Sequence, residues 1–126
     1  MKHDTIEARD LPALVRSTWT EAQFNREFYK LASPLGWKCA HFRKARTKKG
    51  WRTAVEGDGA GFPDWILVRP YRVGRGTNHV IVAELKVGRN KLTVAQHRWL
   101  EAFMEVGIPA YCWTPDDWDK IVEVLS

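Results

Sequence analysis

The sequence predicts an α/β domain in the order helix, three strands, helix, strand, helix, and three observations carry that prediction. Phe24, Phe28 and Leu31 recur at helical spacing ahead of a Ser33-Pro34 stop. Two β-rich runs, residues 64–69 and 79–86, are joined by a link containing Gly74 and Gly76. A helix capped by Thr93 then leads into one more short strand and a final amphipathic helix.

Residues 1–19 are poorly patterned and read as an N-terminal arm or short helix, with residues 20–126 forming a single domain. The first strong helix begins at Thr18 or Thr20 and runs to about Ala32, where Ser33-Pro34 and Gly36 end it. Glu21 lies near the stripe made by Phe24, Phe28 and Leu31, and Glu27 lies farther round, towards solvent. An acidic residue in a first turn suits the helix dipole, and Glu21 can also complete a capping box with Thr18.

Residues 37–43 alternate as a strand. From Arg43 to Arg52 the chain carries Arg43, Lys44, Arg46, Lys48, Lys49 and Arg52, no acidic residue, and an interleaved Trp51. A flexible basic loop with an aromatic can follow a phosphate backbone and stack on a base, and it can equally serve as a solvated loop. The Gly-rich run from Glu56 to Gly61 lacks the Gly-Lys-Ser/Thr ending of a phosphate-binding loop; its glycines suit a backbone that passes close to a site.

Between the two central strands, residues 70–78 read as a loose hairpin with Arg72 and Arg75 at its tip, and Gly88 to Lys91 as a second basic turn. The Thr93 helix runs to Val106 with Gly107 at C′, its inner face made by Gln96, Trp99, Leu100, Phe103 and Val106. Residues 108–113 form a strand whose Pro109 belongs at its start or on an edge. Thr114 and Pro115 open the last helix, with Trp118, Ile121, Val122 and Leu125 on its buried side.

With 126 residues, 44% of them hydrophobic, and seven tryptophans, the chain suits one packed globule. No secretory leader is read at its start, and no apolar run approaches the ~20 residues that span a bilayer. Cys39 and Cys112 therefore read as buried thiols of a reducing, cytoplasmic compartment, not as a disulfide or metal pair. The net charge of +5 is unevenly spread: residues 38–98 hold fourteen basic and four acidic side chains, and residues 99–126 hold one basic and six acidic. A basic zone of this density suits a polyanion, most readily nucleic acid, and is also compatible with a solvated basic surface.

The chemistry is carried by charge on a strand that should have none. Val80-Ile81-Val82-Ala83 has no polar alternation, so this strand is expected to be buried on both sides, yet Glu84 and Lys86 follow on one face of it. Asp64 begins the neighbouring strand, where antiparallel pairing brings it beside Glu84. Two converging carboxylates repel unless a cation lies between them, and such hard oxygen donors suit Mg²⁺ or Mn²⁺ better than zinc. The set fits phosphodiester hydrolysis: Asp64 and Glu84 hold the metal, and Lys86 orients or deprotonates water or stabilises developing charge. An isolated Glu-x-Lys would read as a surface ion pair; Pro63-Asp64 upstream and the basic surroundings favour the site.

Pro63-Asp64 followed by Glu84-Leu85-Lys86 resembles the PD-(D/E)xK nuclease motif, and the element order is similar to the αβββαβ core of that superfamily. A finer resemblance is to the small stand-alone VRR-NUC domains common in phages and prophages. It is carried by Gly61-Phe62-Pro63-Asp64, Ala83-Glu84-Leu85-Lys86, Leu92-Thr93 with Gln96 and Trp99-Leu100, and Gly36-Trp37, over about residues 20–120. The resemblance implies a restriction-endonuclease-like fold: a central mixed four-stranded sheet flanked by helices, with an extra C-terminal helix. It implies Asp64 and Glu84 as metal ligands, the Leu85 carbonyl as a third, and Lys86 as the catalytic lysine. Glu21, or Glu27 in its place, would match the first-helix acid that completes the metal site. Gln96 would match the glutamine near the site, although Thr93-x-x-Gln96 is also a capping box. His41 is a candidate for substrate contact and fits a structural histidine as well.

The expected activity is that of a Mg²⁺- or Mn²⁺-dependent DNA endonuclease, with no organic cofactor and no membrane. The resemblance further implies selectivity for branched DNA such as Holliday junctions, a homodimer, and a phage- or prophage-encoded protein of the bacterial cytoplasm. Two other readings stay open at this point: a non-catalytic DNA-binding module on a nuclease fold, and a nuclease of restriction-type or RNA specificity.

Overall fold

The protein is described by a computed structural model for residues 13–42, 45–47, 50–52, 57–70 and 79–126, with 45–47 and 50–52 described by their backbone. A short helix α1 (Ala13–Arg16) precedes α2 (Glu21–Ala32). Thr20 caps α2: its hydroxyl accepts from Gln23 N–H and the Gln23 side chain accepts from Thr20 N–H. The expected box between Thr18 and Glu21 does not form, because the Thr18 hydroxyl donates instead to the Val15 carbonyl. A 3₁₀ turn at Ser33–Leu35 and Gly36 at φ 93° end the helix, as the Pro34 and Gly36 signals require.

Strands β1 (Lys38–His41), β4 (Trp65–Arg69), β5 (His79–Leu85) and β6 (Ala110–Trp113) form one open mixed sheet in the order β1-β4-β5-β6. The first two pairings are antiparallel and β5 runs parallel to β6, which requires the crossover helix α3 (Val94–Glu105) between them. Helix α4 (Trp118–Leu125) ends the chain. Strands β2 (Ala45–Thr47) and β3 (Gly50–Arg52) pair as a separate antiparallel hairpin where the sequence suggested a flexible loop. The expected loose hairpin falls mostly on residues 71–78, which lie outside the described residues. Among the described residues no helix is long and apolar enough to cross a membrane.

Alternation along β4 and β5 decides what each face meets. Trp65, Leu67, Ile81, Ala83 and Leu85 form a core with Phe24, Phe28 and Ala32 of α2 and Trp118, Ile121 and Leu125 of α4. Each large apolar side chain fully buried there contributes roughly 1.5–3 kcal/mol. Glu84 projects to the opposite face, where α3 supplies Gln96 and Leu100, both buried. The α3 inner face stops short of its expected end, since Val106 is 74% exposed beyond the last helical turn.

Arg69 is the unexpected member of the core side. It is buried, its guanidinium lies 4.4 Å from the centroid of the Trp37 ring, and it donates to the carbonyls of Leu35 (3.3 Å) and Leu125 (3.0 Å). The Trp37 indole donates to the same Leu125 carbonyl at 2.9 Å. A cation at the carboxyl end of α4 satisfies carbonyls that the helix itself leaves without donors.

Candidate functional site

The β4–β5 register sets Trp65 opposite Ala83, which leaves Asp64 and Glu84 facing each other just past the paired residues. Asp64 N–H donates to Glu84 Oε2 at 3.2 Å, and Leu85 N–H donates back to Asp64 Oδ2 at 3.3 Å. Glu84 is only 2% exposed. Gln96 Nε2 donates to Glu84 Oε1 at 3.0 Å, and Lys86 Nζ lies 3.6 Å from the same oxygen. The Lys86 side chain is 15% exposed, so the ammonium sits at the rim of the site and not in free solvent.

This environment pushes the Glu84 carboxyl up to about 8, chiefly because burial disfavours its charged form and next because of the charge on Asp64. Lys86 pulls in the other direction without cancelling these effects. Two carboxyl groups brought side by side by main-chain donors, one buried and one half-buried, are costly for the fold, and a cation between them would relieve that cost.

Asp64, Glu84, Lys86 and Gln96 are thus brought together, and Gln96 serves at once as capping residue and partner of Glu84. The Leu85 side chain lies in the core while its N–H is tied to Asp64. Glu21 does not join them. It is exposed at the first residue of α2, and the buried polar residue of that helix that meets the site's strand is Asn25, whose amide donates to the Glu21 carbonyl and accepts from the Trp65 indole at 2.7 Å. Glu27 is half-buried, not fully turned to solvent, and lies 3.6 Å from Lys30. Among the described residues no group of three or more His, Cys, Asp or Glu side chains gathers as a metal cage.

His41 is half-buried and stacks flat on Trp65, its ring 4.2 Å away at an interplanar angle of 2°. Of the basic set, Arg43, Lys44, Lys48 and Lys49 lie outside the described residues, and Arg46 and Arg52 sit on the β2–β3 hairpin. Cys112 departs from its expected burial. It is exposed on edge strand β6 directly opposite Glu84, and partial burial of the thiol followed by the Glu84 charge raises its pKa. Cys39 is half-buried and its thiol is raised by burial.

Sequence reasoning overlooked the contacts that support the pair from outside. Phe42 N–H donates to the Asp64 carbonyl at 2.7 Å, and the Trp99 indole donates to the Asp58 carbonyl at 3.0 Å. The expectation that glycines let the backbone approach the site applies at Gly61, where φ is 81° and an added Cβ would lie 2.6 Å from backbone atoms of Ala95 and Gln96.

No protein-family model matches the chain. No curated protein and no solved structure matches it at a significant level.

Proposed function

We propose that the chain is a divalent-metal-dependent endonuclease that hydrolyses phosphodiester bonds in DNA on a restriction-endonuclease-like core. The observation that carries this reading is the pairing of buried Glu84 with half-buried Asp64, with the Glu84 carboxyl lifted to about 8 and Lys86 Nζ 3.6 Å away. The donor set fits Mg²⁺ or Mn²⁺: both side chains offer hard oxygens, and a dication between them would offset the repulsion of two neighbouring carboxylates. Mg²⁺ keeps several of its waters and commonly needs only one or two carboxylates, so two acids suffice without Glu21.

When bound, the ion supplies a polarised water and neutralises charge on the phosphate. The chain's own residues do the rest. Gln96 fixes the orientation of the Glu84 carboxyl, and the Leu85 N–H fixes Asp64. Lys86, held at the rim by Glu84, is placed to orient the attacking water or to stabilise negative charge as the bond breaks. The basic middle of the chain supplies phosphate contacts. Selectivity for branched DNA and action as a homodimer extend the proposal and rest on the resemblance to VRR-NUC domains.

The test compares wild type with Asp64→Ala on a four-way junction, a flap and a linear duplex, in Mg²⁺ and in EDTA. Metal-dependent cutting by wild type alone is expected, with the junction preferred and binding weakened steeply by salt. Equal cutting by Asp64→Ala, or none by wild type with any divalent ion, refutes the catalytic reading. Equal cutting of junction and linear duplex removes only the selectivity.

A further inference from the structure

We infer that Trp99 and Gly61 are positioning residues that set the spacing of the acidic pair. This inference deepens the proposed function and rests on Asp64 and Glu84 being its metal-binding groups. Asp64 follows a loop, residues 57–63, with no sheet partners of its own, whereas Glu84 stands on the central strand β5. The distance between the two acids therefore depends on how deeply that loop seats against α3, the helix that holds Glu84 through Gln96.

Three contacts fix the seating. Gly61 lies so close to the first turn of α3 that a Cβ would stand 2.6 Å from the Ala95 carbonyl carbon and the Gln96 nitrogen. One turn later, the Trp99 indole N–H donates to the Asp58 carbonyl at 3.0 Å and ties the start of the loop to the same helix. Between these points Phe62 sets its ring edge-on to Trp99, with centroids 4.9 Å apart, and edge-on to Phe42 at 5.4 Å. Phe42 in turn donates its N–H to the Asp64 carbonyl at 2.7 Å. The loop is thus held to α3 at both ends, and its last residue before β4 is held from the β1 side.

Neither Trp99 nor Gly61 touches a carboxylate. Their effect is transmitted through the backbone of residues 58–64 on one side and through Gln96 on the other. Loosening the latch lets Asp64 move away from Glu84 while leaving the α2–sheet–α4 core intact, because none of the latch residues belongs to that core.

The experiment uses Trp99→Phe, which keeps an aromatic ring but loses the indole donor, with Gly61→Ala as the stronger perturbation. Ile121→Val, in the α4 core, is the control for a general loss of stability. Amide exchange is measured by NMR in EDTA, comparing Leu85 N–H, which donates to Asp64, with Val82 N–H, which donates to Pro109 O on the same strand. Calorimetry with Mn²⁺ then gives the metal affinity. Trp99→Phe is expected to speed exchange at Leu85 but not at Val82 and to weaken Mn²⁺ binding about 10-fold, as loss of outer support for metal ligands commonly does. Ile121→Val should leave the Leu85-to-Val82 ratio and Mn²⁺ affinity unchanged. If Trp99→Phe speeds both amides equally, or leaves both amides and Mn²⁺ affinity at wild-type values, the positioning role is overturned. Selective exchange at Leu85 in a wild-type background that binds no Mn²⁺ overturns the nuclease reading and leaves the geometric role of Trp99 standing.

Discussion

Replacing Glu84 with glutamine is expected to make the metal-free protein more stable at alkaline pH and to flatten its stability profile. In the folded chain the Glu84 carboxyl keeps its proton up to about 8, against an ordinary value of 4.5. Between those two values the folded state binds more protons than the unfolded state, so unfolding free energy falls as pH rises. The stabilisation is complete below 4.5 and is lost once pH passes about 8. Moving one carboxyl over that interval corresponds to a ceiling of about 5 kcal/mol, a large share of a small domain's total stability. Glutamine mimics the protonated acid: its oxygen can accept from Gln96 or Asp64 N–H, and its amide can donate to the Asp64 carboxylate. Urea denaturation in EDTA at pH 5, 6.5 and 8.5 measures the effect, with the wild-type-to-variant difference cancelling other titrating groups. Glu84→Gln should gain several kcal/mol on wild type between pH 5 and 8.5. Mg²⁺ or Mn²⁺ should stabilise wild type most at the alkaline end, where no proton competes, and do little for the variant. Parallel pH profiles for the two proteins would refute the reasoning.

Two further outcomes are expected. Arg69→Lys should cost about 2 kcal/mol in urea denaturation at neutral pH, because an ammonium cannot both lie flat on Trp37 and serve the carbonyls of Leu35 and Leu125; a change below about 0.5 kcal/mol would show that water replaces the guanidinium freely. A maleimide should label Cys112 well before Cys39 in the folded protein, read by mass spectrometry of tryptic peptides, and the reverse order would contradict the outward placement of Cys112 on β6.

What was legible in the sequence was whatever depends on neighbours along the chain. The stripe of Phe24 and Phe28, the Thr93–Gln96 box and the unpatterned run before Glu84 each identify an element without knowledge of its partners. Asp64 beside Glu84 was also accessible, since two adjacent antiparallel strands bring their ends together. The remainder depends on packing between distant segments. The outward placement of Cys112 follows from β6 being an edge strand whose Cys112 side chain shares a face with Glu84, and nothing near residue 112 signals it. Glu21 looked closer to the site than it is because the cap lies at Thr20, which makes Glu21 the exposed first residue of the helix and turns Asn25 inward. Arg69 reads as the end of a strand and becomes a core residue only when the end of α4, over fifty positions later, comes to rest on it.

Strand β5 belongs at once to the antiparallel pair with β4 and to the parallel β5–α3–β6 crossover. Asp64 comes from the first unit, Gln96 from the second, and Glu84 from the strand they share. Neither unit alone can assemble the acidic pair together with its glutamine support. During synthesis the pair with β4 can form early, but the crossover waits until residue 113 has emerged. A chain arrested part-way would expose an acid without the amide that steadies it. The acidic pair and its glutamine support are therefore brought together in full only when the crossover closes and β6 joins the sheet.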